Sequence, residues 1–183
     1  LAEELERAMD LAALGTIADL MPVGDENRLI VRRGLEVMNR LARPGLRQLL
    51  IRQNLHGRKL AAKDVSWQIA PLLNSAGRMG QAGKAARLFL SSDEEEIESL
   101  IDAVLELNNR RKAEGDKAWD LVSGQAYASL QKSSGKLVFV RDAAIPRGIT
   151  GLLASRLAGY FKVPALVVAL GERKAVGSLR SPY

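Results

Sequence analysis

The feature that most constrains this chain is a strand, helix, strand run near its end. "KLVFV" (136–140) and "PALVVAL" (164–170) are short, unbroken apolar segments rich in β-branched residues, the pattern of strands buried on both faces. Between them, "GITGLLASRLAGYF" (148–161) repeats apolar residues at helical spacing. Two such strands joined by a helix pair in parallel through a right-handed crossover. This part of the chain is therefore an α/β layer, and "KAVGSLR" (174–180) is available as a third strand.

Upstream the period is helical. Leu5, Met9, Ala12 and Ala13 share one face of residues 2–14, which predicts a helix ending at Gly15. The turn "VGDENR" leads into a basic helix over 27–42, with Asp25 and Glu26 at its positive end and Arg40 and Arg43 at its negative end. Lying alone between two turn-marked blocks, that helix reads as an interdomain connector. "PGLRQLLIRQNL" opens on a proline suited to a first helical turn and predicts a third helix. "LAAKDVSWQIAPLL" predicts a fourth, with Trp67 on its apolar face. Ser91 and Ser92 each precede a glutamate by three residues, and "DEEE" adds negative charge, so a long helix or helix pair starts near 92 and runs to 131. Its stripe is Ile97, Leu100, Ile101, Val104 and Leu105, continued past Gly115 by Trp119, Val122, Ala126 and Leu130. The expected fold class is α/β, with mainly helical first two thirds followed by a small mixed sheet.

Composition excludes several chemistries. With no cysteine there is neither disulfide nor thiolate metal site, and with one histidine, His56, no self-contained multi-histidine centre. A cysteine-free chain suits a reducing compartment, so a cytoplasmic location is expected. No apolar run approaches the roughly 20 residues that cross a bilayer, and no membrane partner is expected. A formal net charge of +6 suits a polyanionic partner. The first residue, Leu1, falls inside a helical pattern and the last residues follow a strand-like segment, so the chain reads as an excerpt of a longer protein.

Four stretches carry candidate chemistry. In "ALGTIADLMPV" a lone Asp19 sits between Gly15 and Pro22, either as a turn residue or as one ligand of a metal site completed elsewhere. "NSAGRMG" (74–80) reads as a loop after a helix in which Asn74, backbone and Arg78 could hold a phosphate, or as a helix cap with a surface arginine. In "IPRGITGLLASRL", Arg147 and Gly148 lie just before a helix N-terminus that favours anions, with Thr150, Ser155 and Arg156 further along. "VGSLRS" puts Gly177, Ser178, Arg180 and Ser181 at a strand end.

Taken in this order, "ALGTIADLMPVGDENR", "IAPLLNSAGRMG", "RGITGLLASRL" and "GSLRS" resemble the second half of the RecJ family, single-strand-specific 5′ to 3′ DNA exonucleases of the DHH phosphoesterase superfamily. The resemblance implies that Asp19 is a ligand of catalytic Mn²⁺ or Mg²⁺, ions suited by hard carboxylate oxygen, while Asp10 is structural. It implies contacts to single-stranded DNA from Asn74, Arg78, Arg147, Arg156, Gly177, Ser178, Arg180 and Ser181, and partnership with a single-strand-binding protein and a helicase in repair and recombination. It also implies a division into the end of a DHH catalytic domain (1–24), a connecting helix (25–45) and a truncated DHH-associated domain (46–183).

The departures matter too. The family's aspartate-rich first motif and its Asp-His-His motif are absent, so this chain alone is expected to lack nuclease activity. Leu72 stands where many relatives have arginine, Leu179 where the last motif usually has glycine, and "IPRG" replaces the commoner "HPG". With aromatics at 4%, base stacking is expected to contribute little, and Trp67 and Trp119 are assigned to the core. The competing readings are a DHH-family oligoribonuclease or phosphoesterase acting on short substrates, and a non-catalytic nucleic-acid-binding module.

Overall fold

The structure is a computed structural model that describes residues 2–182. They form two compact units, divided between Asn108 and Asn109.

In the first unit, helix α1 (Ala2–Ala18) packs along α2 (Asp25–Asn39). Ala13, Leu14 and Ile17 are buried on one helix, and Val31, Gly34, Val37 and Met38 on the other. Gly34 makes the close approach possible, because a β-carbon there would collide with Ala13 Cβ and the Met9 carbonyl. The helix expected to end at Gly15 continues to Ala18. A single glycine costs only about 1 kcal/mol in a helix, and burial of Ile17 carries the helix past it. The chain turns instead at Leu20, whose φ is +54°. The buried stripe of α2, the helix expected to connect two domains, packs it within the first unit. The element that runs from one unit into the next is α7 (Glu94–Lys132), a continuous helix of 39 residues unbroken at Gly115. The expected boundaries at 24 and 45 do not coincide with the packing units.

Helix α3 (Pro44–Arg52) opens on its proline as expected. A short α4 (Ala62–Asp64) then runs through a π-helical turn (Val65–Ile69) into α5 (Ala70–Arg78), so "NSAGR" is helix rather than loop. The end of α5 explains the glycine that follows. Gly80 (φ +72°) accepts the left-handed conformation while the Gly80 N–H donates to Gly77 O (3.0 Å) and the Gln81 N–H to Ala76 O (2.7 Å), a Schellman cap. Helix α6 (Ala82–Leu90) was not expected from the sequence; it buries Leu88 and Phe89. The core of the unit is built from Met38, Leu49, Leu50, Val65, Ile69, Leu88, Ile97, Ile101 and Val104. Trp67 is not part of it. The buried stripe is Val65, Ile69, Leu72 and Ala76, spaced i, i+4, i+7 and i+11, and Trp67 lies two residues from Val65, on the opposite side of the helix. Before α7, Asp93 acts as the cap: its Oδ1 accepts the Glu96 N–H (2.8 Å), while Ser91 Oγ accepts the Asp93 N–H (3.1 Å) and donates to Glu96 Oε2 (2.6 Å).

The second unit is a three-stranded sheet with α8 and the end of α7. Strand β1 (Val138–Asp142) pairs in parallel with β2 (Ala165–Ala169), Val138 opposite Ala165, and β2 pairs antiparallel with β3 (Val176–Arg180), Val167 opposite Ser178. Helix α8 (Thr150–Phe161) is the crossover between β1 and β2, preceded by a 3₁₀ turn at Arg147–Ile149. Side chains of α7 take up groups of β1 as a neighbouring strand would: Ser129 Oγ accepts the Phe139 N–H (2.8 Å), and the Gln125 amide both accepts the Arg141 N–H (2.5 Å) and donates to its carbonyl (3.2 Å). Trp119 is half-buried, edge-on to Tyr160 at 5.3 Å between ring centroids. Among the described residues, no helix is long and apolar enough to cross a membrane.

Candidate nucleic-acid interface

In the second unit, β3 and the start of α8 bring two of the sequence motifs together. Strand alternation puts Ser178 and Arg180 on the face toward α8 and Gly177 and Leu179 on the other. Ser178 Oγ lies 3.0 Å from the buried Thr150 Oγ1, and Thr150 Oγ1 donates to Arg147 O (3.2 Å). The Arg180 guanidinium rests over Gly151: a β-carbon on Gly151 would meet Arg180 Nη2 at 3.3 Å and Ser178 Oγ at 3.6 Å. Arg180 Nη1 donates to Leu179 O (2.8 Å), which holds the side chain in this pose. A cation and a hydroxyl thus stand at the first turn of a twelve-residue helix, whose N–H groups and dipole already favour negative charge.

The other candidates of this unit separate from that cluster. The Arg147 guanidinium packs against Gly171 and donates to Lys174 O (3.3 Å), in the β2–β3 connection. Arg156 is turned to α7: its Nη1 donates to Asp116 Oδ1 (2.9 Å) and its guanidinium stacks 4.4 Å from the Trp119 ring centroid. Six residues along α8, it lies beyond the first helical turn and is committed to holding the two helices together. Gly177 serves the sheet, since a β-carbon there would sit 3.1 Å from Val168 Cγ2 and 3.2 Å from Val167 O. Ser181 follows the strand and is exposed.

In the first unit, Asn74 and Arg78 are one turn apart on the exposed face of α5, whereas Ser75 is buried with its Oγ 2.6 Å from Pro71 O and 3.0 Å from Asn108 Oδ1. Asp19 follows the last residue of α1 and is exposed, and no hydrogen bond or ion pair engages its carboxylate among the described residues. It is not a turn cap: Asn27 Nδ2, donating to Pro22 O (3.0 Å), ties down the turn. His56 lies exposed in the loop between α3 and α4.

No protein-family model matches the chain. It is 37% identical over 183 residues to the single-stranded-DNA-specific exonuclease RecJ of Bacillus subtilis, covering 99% of this chain and 23% of that protein. To the RecJ of Escherichia coli it is 31% identical over 182 residues, covering 97% of this chain and 31% of the relative. Among solved structures, RecJ of Thermus thermophilus in complex with Mn²⁺ superposes with a TM-score of 0.82 at 32% identity, over 96% of this chain and 25% of that one. The chain is homologous to one segment of RecJ. It spans between about a quarter and a third of the length of these relatives.

The RecJ departures noted in the sequence fall at positions that leave the cluster intact. Leu72, where arginine is usual, is a core residue of α5. Leu179, in place of the usual glycine, points away from the face that carries Ser178 and Arg180. Two residues that complete this cluster were missed as site residues: Thr150, which engages Ser178, and Gly151, which makes room for Arg180. The signal for them was the pair of small residues at the predicted helix start in "RGITG". The solved RecJ structures carry Mn²⁺ or Mg²⁺. An exposed carboxylate beside the negative end of α1 fits such an ion as one hard oxygen donor. Among the described residues, however, no three His, Asp or Glu side chains are grouped to hold one, so the donors of this chain do not complete a shell.

Proposed function

We propose that this RecJ-like chain is the part of a single-stranded-DNA-specific 5′ to 3′ exonuclease that grips the DNA backbone and contributes one carboxylate, Asp19, to Mn²⁺ or Mg²⁺ held chiefly by residues outside it. The observation that carries the reading is the convergence of Arg180 and Ser178 on the first turn of α8. Cation, hydroxyl and helix amides all suit a phosphate, and none of them reads a base, as an enzyme that accepts any sequence requires. Asn74 and Arg78 on α5 supply a second backbone contact. Hydrolysis through two metal ions needs several ligands to hold both ions and activate water, so the chain alone does not cleave DNA. The single-strand-binding protein and the helicase implied by the family belong to the same proposal for the whole protein.

The test is binding of a 5′-labelled oligo-dT to the full chain, followed by fluorescence anisotropy at several salt concentrations. Arg180→Ala is expected to weaken binding about ten-fold and to lower the salt slope by about 0.7, the loss of one phosphate contact on a single strand. Unchanged affinity and slope would remove Arg180 from the site and the reading with it.

A further inference from the structure

Trp67 is 74% exposed, on the π-helical turn that leads into α5. An indole left in water forgoes a large apolar burial, and single π turns inside helices occur often at functional sites. Its position along the helix is informative. Asn74 follows Trp67 by seven residues and Arg78 by eleven, two and three helical turns on, so the three side chains recur along one exposed face opposite the buried Val65, Ile69, Leu72 and Ala76. Between Trp67 and Asn74 the face carries the half-buried Pro71, and the rest is polar or small, with Gln68 exposed beside Trp67 and Gly77 beside Arg78. It therefore lacks the apolar stripe that a partner helix would bury. What it offers is one flat π-surface in line with an amide and a guanidinium. Eleven residues rise about 16 Å, so a strand lying along the face meets the indole and the guanidinium at different nucleotides.

We infer that Trp67 is a stacking platform for an unpaired base of single-stranded nucleic acid, continuous with the Asn74–Arg78 backbone contact. The inference rests on that contact as proposed above. Aromatic stacking tolerates every base because every base has a π-face, so the platform adds affinity for single strands without sequence preference. Base pairs of an intact duplex keep their faces stacked on one another, which makes the platform selective for unpaired DNA.

The chain has two tryptophans, so the full chain carrying Trp119→Phe reports on Trp67 alone. Titration with oligo-dT is expected to quench the emission, whereas an abasic oligonucleotide of equal length leaves it unchanged. In the wild-type background, followed by anisotropy, Trp67→Ala is expected to weaken oligo-dT binding on the order of five-fold or more, to leave abasic binding and the melting temperature as they were, and to be partly rescued by Trp67→Phe. Undisturbed emission together with wild-type affinity of Trp67→Ala would overturn the inference. Arg78→Ala separates the two levels. If it weakens binding while Trp67→Ala does not, the platform alone is wrong; if neither matters, the backbone contact on this face falls as well.

Discussion

Arg43 grips Asp10 with two prongs of its guanidinium, Nε to Oδ2 at 2.7 Å and Nη2 to Oδ1 at 2.9 Å. The same guanidinium donates to Phe89 O (2.9 Å) and Arg7 O (3.1 Å), so one side chain ties α1, the start of α3 and the end of α6 together. The Asp10 side chain is 4% exposed, and the pair confirms it as structural. Removing either partner leaves a buried charge with hydrogen-bonding groups unmatched. Asp10→Ala and Arg43→Ala are each expected to cost about 3–5 kcal/mol in urea unfolding, and the double change Asp10→Leu with Arg43→Met to recover most of it. Single variants within about 0.5 kcal/mol of wild type would show that the pair is dispensable.

Gly151 offers a test in which stability and binding part company. Alanine is the better helix former by about 1 kcal/mol, so Gly151→Ala is expected to melt no lower than wild type. Its β-carbon would nevertheless press on the Arg180 guanidinium from 3.3 Å, and displacing one contact weakens single-stranded DNA binding by about three-fold. Gly159→Ala on the same helix, where a β-carbon meets nothing within 4 Å, is the control for stability without loss of binding. Equal affinities for the two variants would mean that Arg180 does not need the space.

What could be read in advance divides along physical lines. The strands were legible as short, unbroken runs of β-branched and apolar residues, although β1 is covered on one face only, with Val138 and Val140 buried and Phe139 and Arg141 exposed; α8 was legible from its helical period. The long helix was legible because an apolar stripe recurs along it from Ile97 to Leu130, although its cap proved to be Asp93 rather than a serine. Gly15 misled because a glycine weakens a helix without ending it. Trp67 misled because hydrophobicity was counted without phase: the indole is apolar, but its neighbours at i+2 and i−2, Ile69 and Val65, own the buried side. In the site, the motifs named Ser178, Arg180 and Thr150 but not how they pair, and they did not name Gly151. Thr150 and Gly151 act through a strand 27 or more residues away, a pairing that no local pattern contains. The contacts of Arg156 were hidden for the same reason, since its partners Asp116 and Trp119 lie on α7.

The first turn of α7 should respond to acid. The Ser91 hydroxyl, and after it the Arg87 guanidinium, hold the Glu96 carboxyl below its ordinary value of 4.5. A carboxyl lowered on folding contributes stability that is fully present above its unfolded value and disappears as pH falls through the lower, folded one. Glu96→Gln is therefore expected to be less stable than wild type near neutrality, with the gap in urea midpoint narrowing below about pH 4.5 and closing in stronger acid. A gap that stays constant across this range would show that packing or hydrogen bonding by the uncharged side chain, rather than its ionisation, underlies the loss.

Asp19 is expected to behave in the opposite way, important to chemistry and irrelevant to folding. Its carboxylate has no partner among the described residues and lies where the last carbonyls of α1 already carry negative partial charge. Nothing in the fold is lost when it goes, so Asp19→Ala should leave the unfolding free energy within about 0.5 kcal/mol of wild type, with any change toward greater stability. In protein that assembles the whole metal site, the same substitution should lower Mn²⁺-dependent hydrolysis of single-stranded DNA by more than the ten- to hundred-fold that loss of an outer-shell partner costs. Hydrolysis by Asp19→Ala at the wild-type rate would show that the carboxylate binds no catalytic ion. A marked loss of stability would show instead that it holds the turn before α2, and its isolation at the negative end of a helix would then need another explanation.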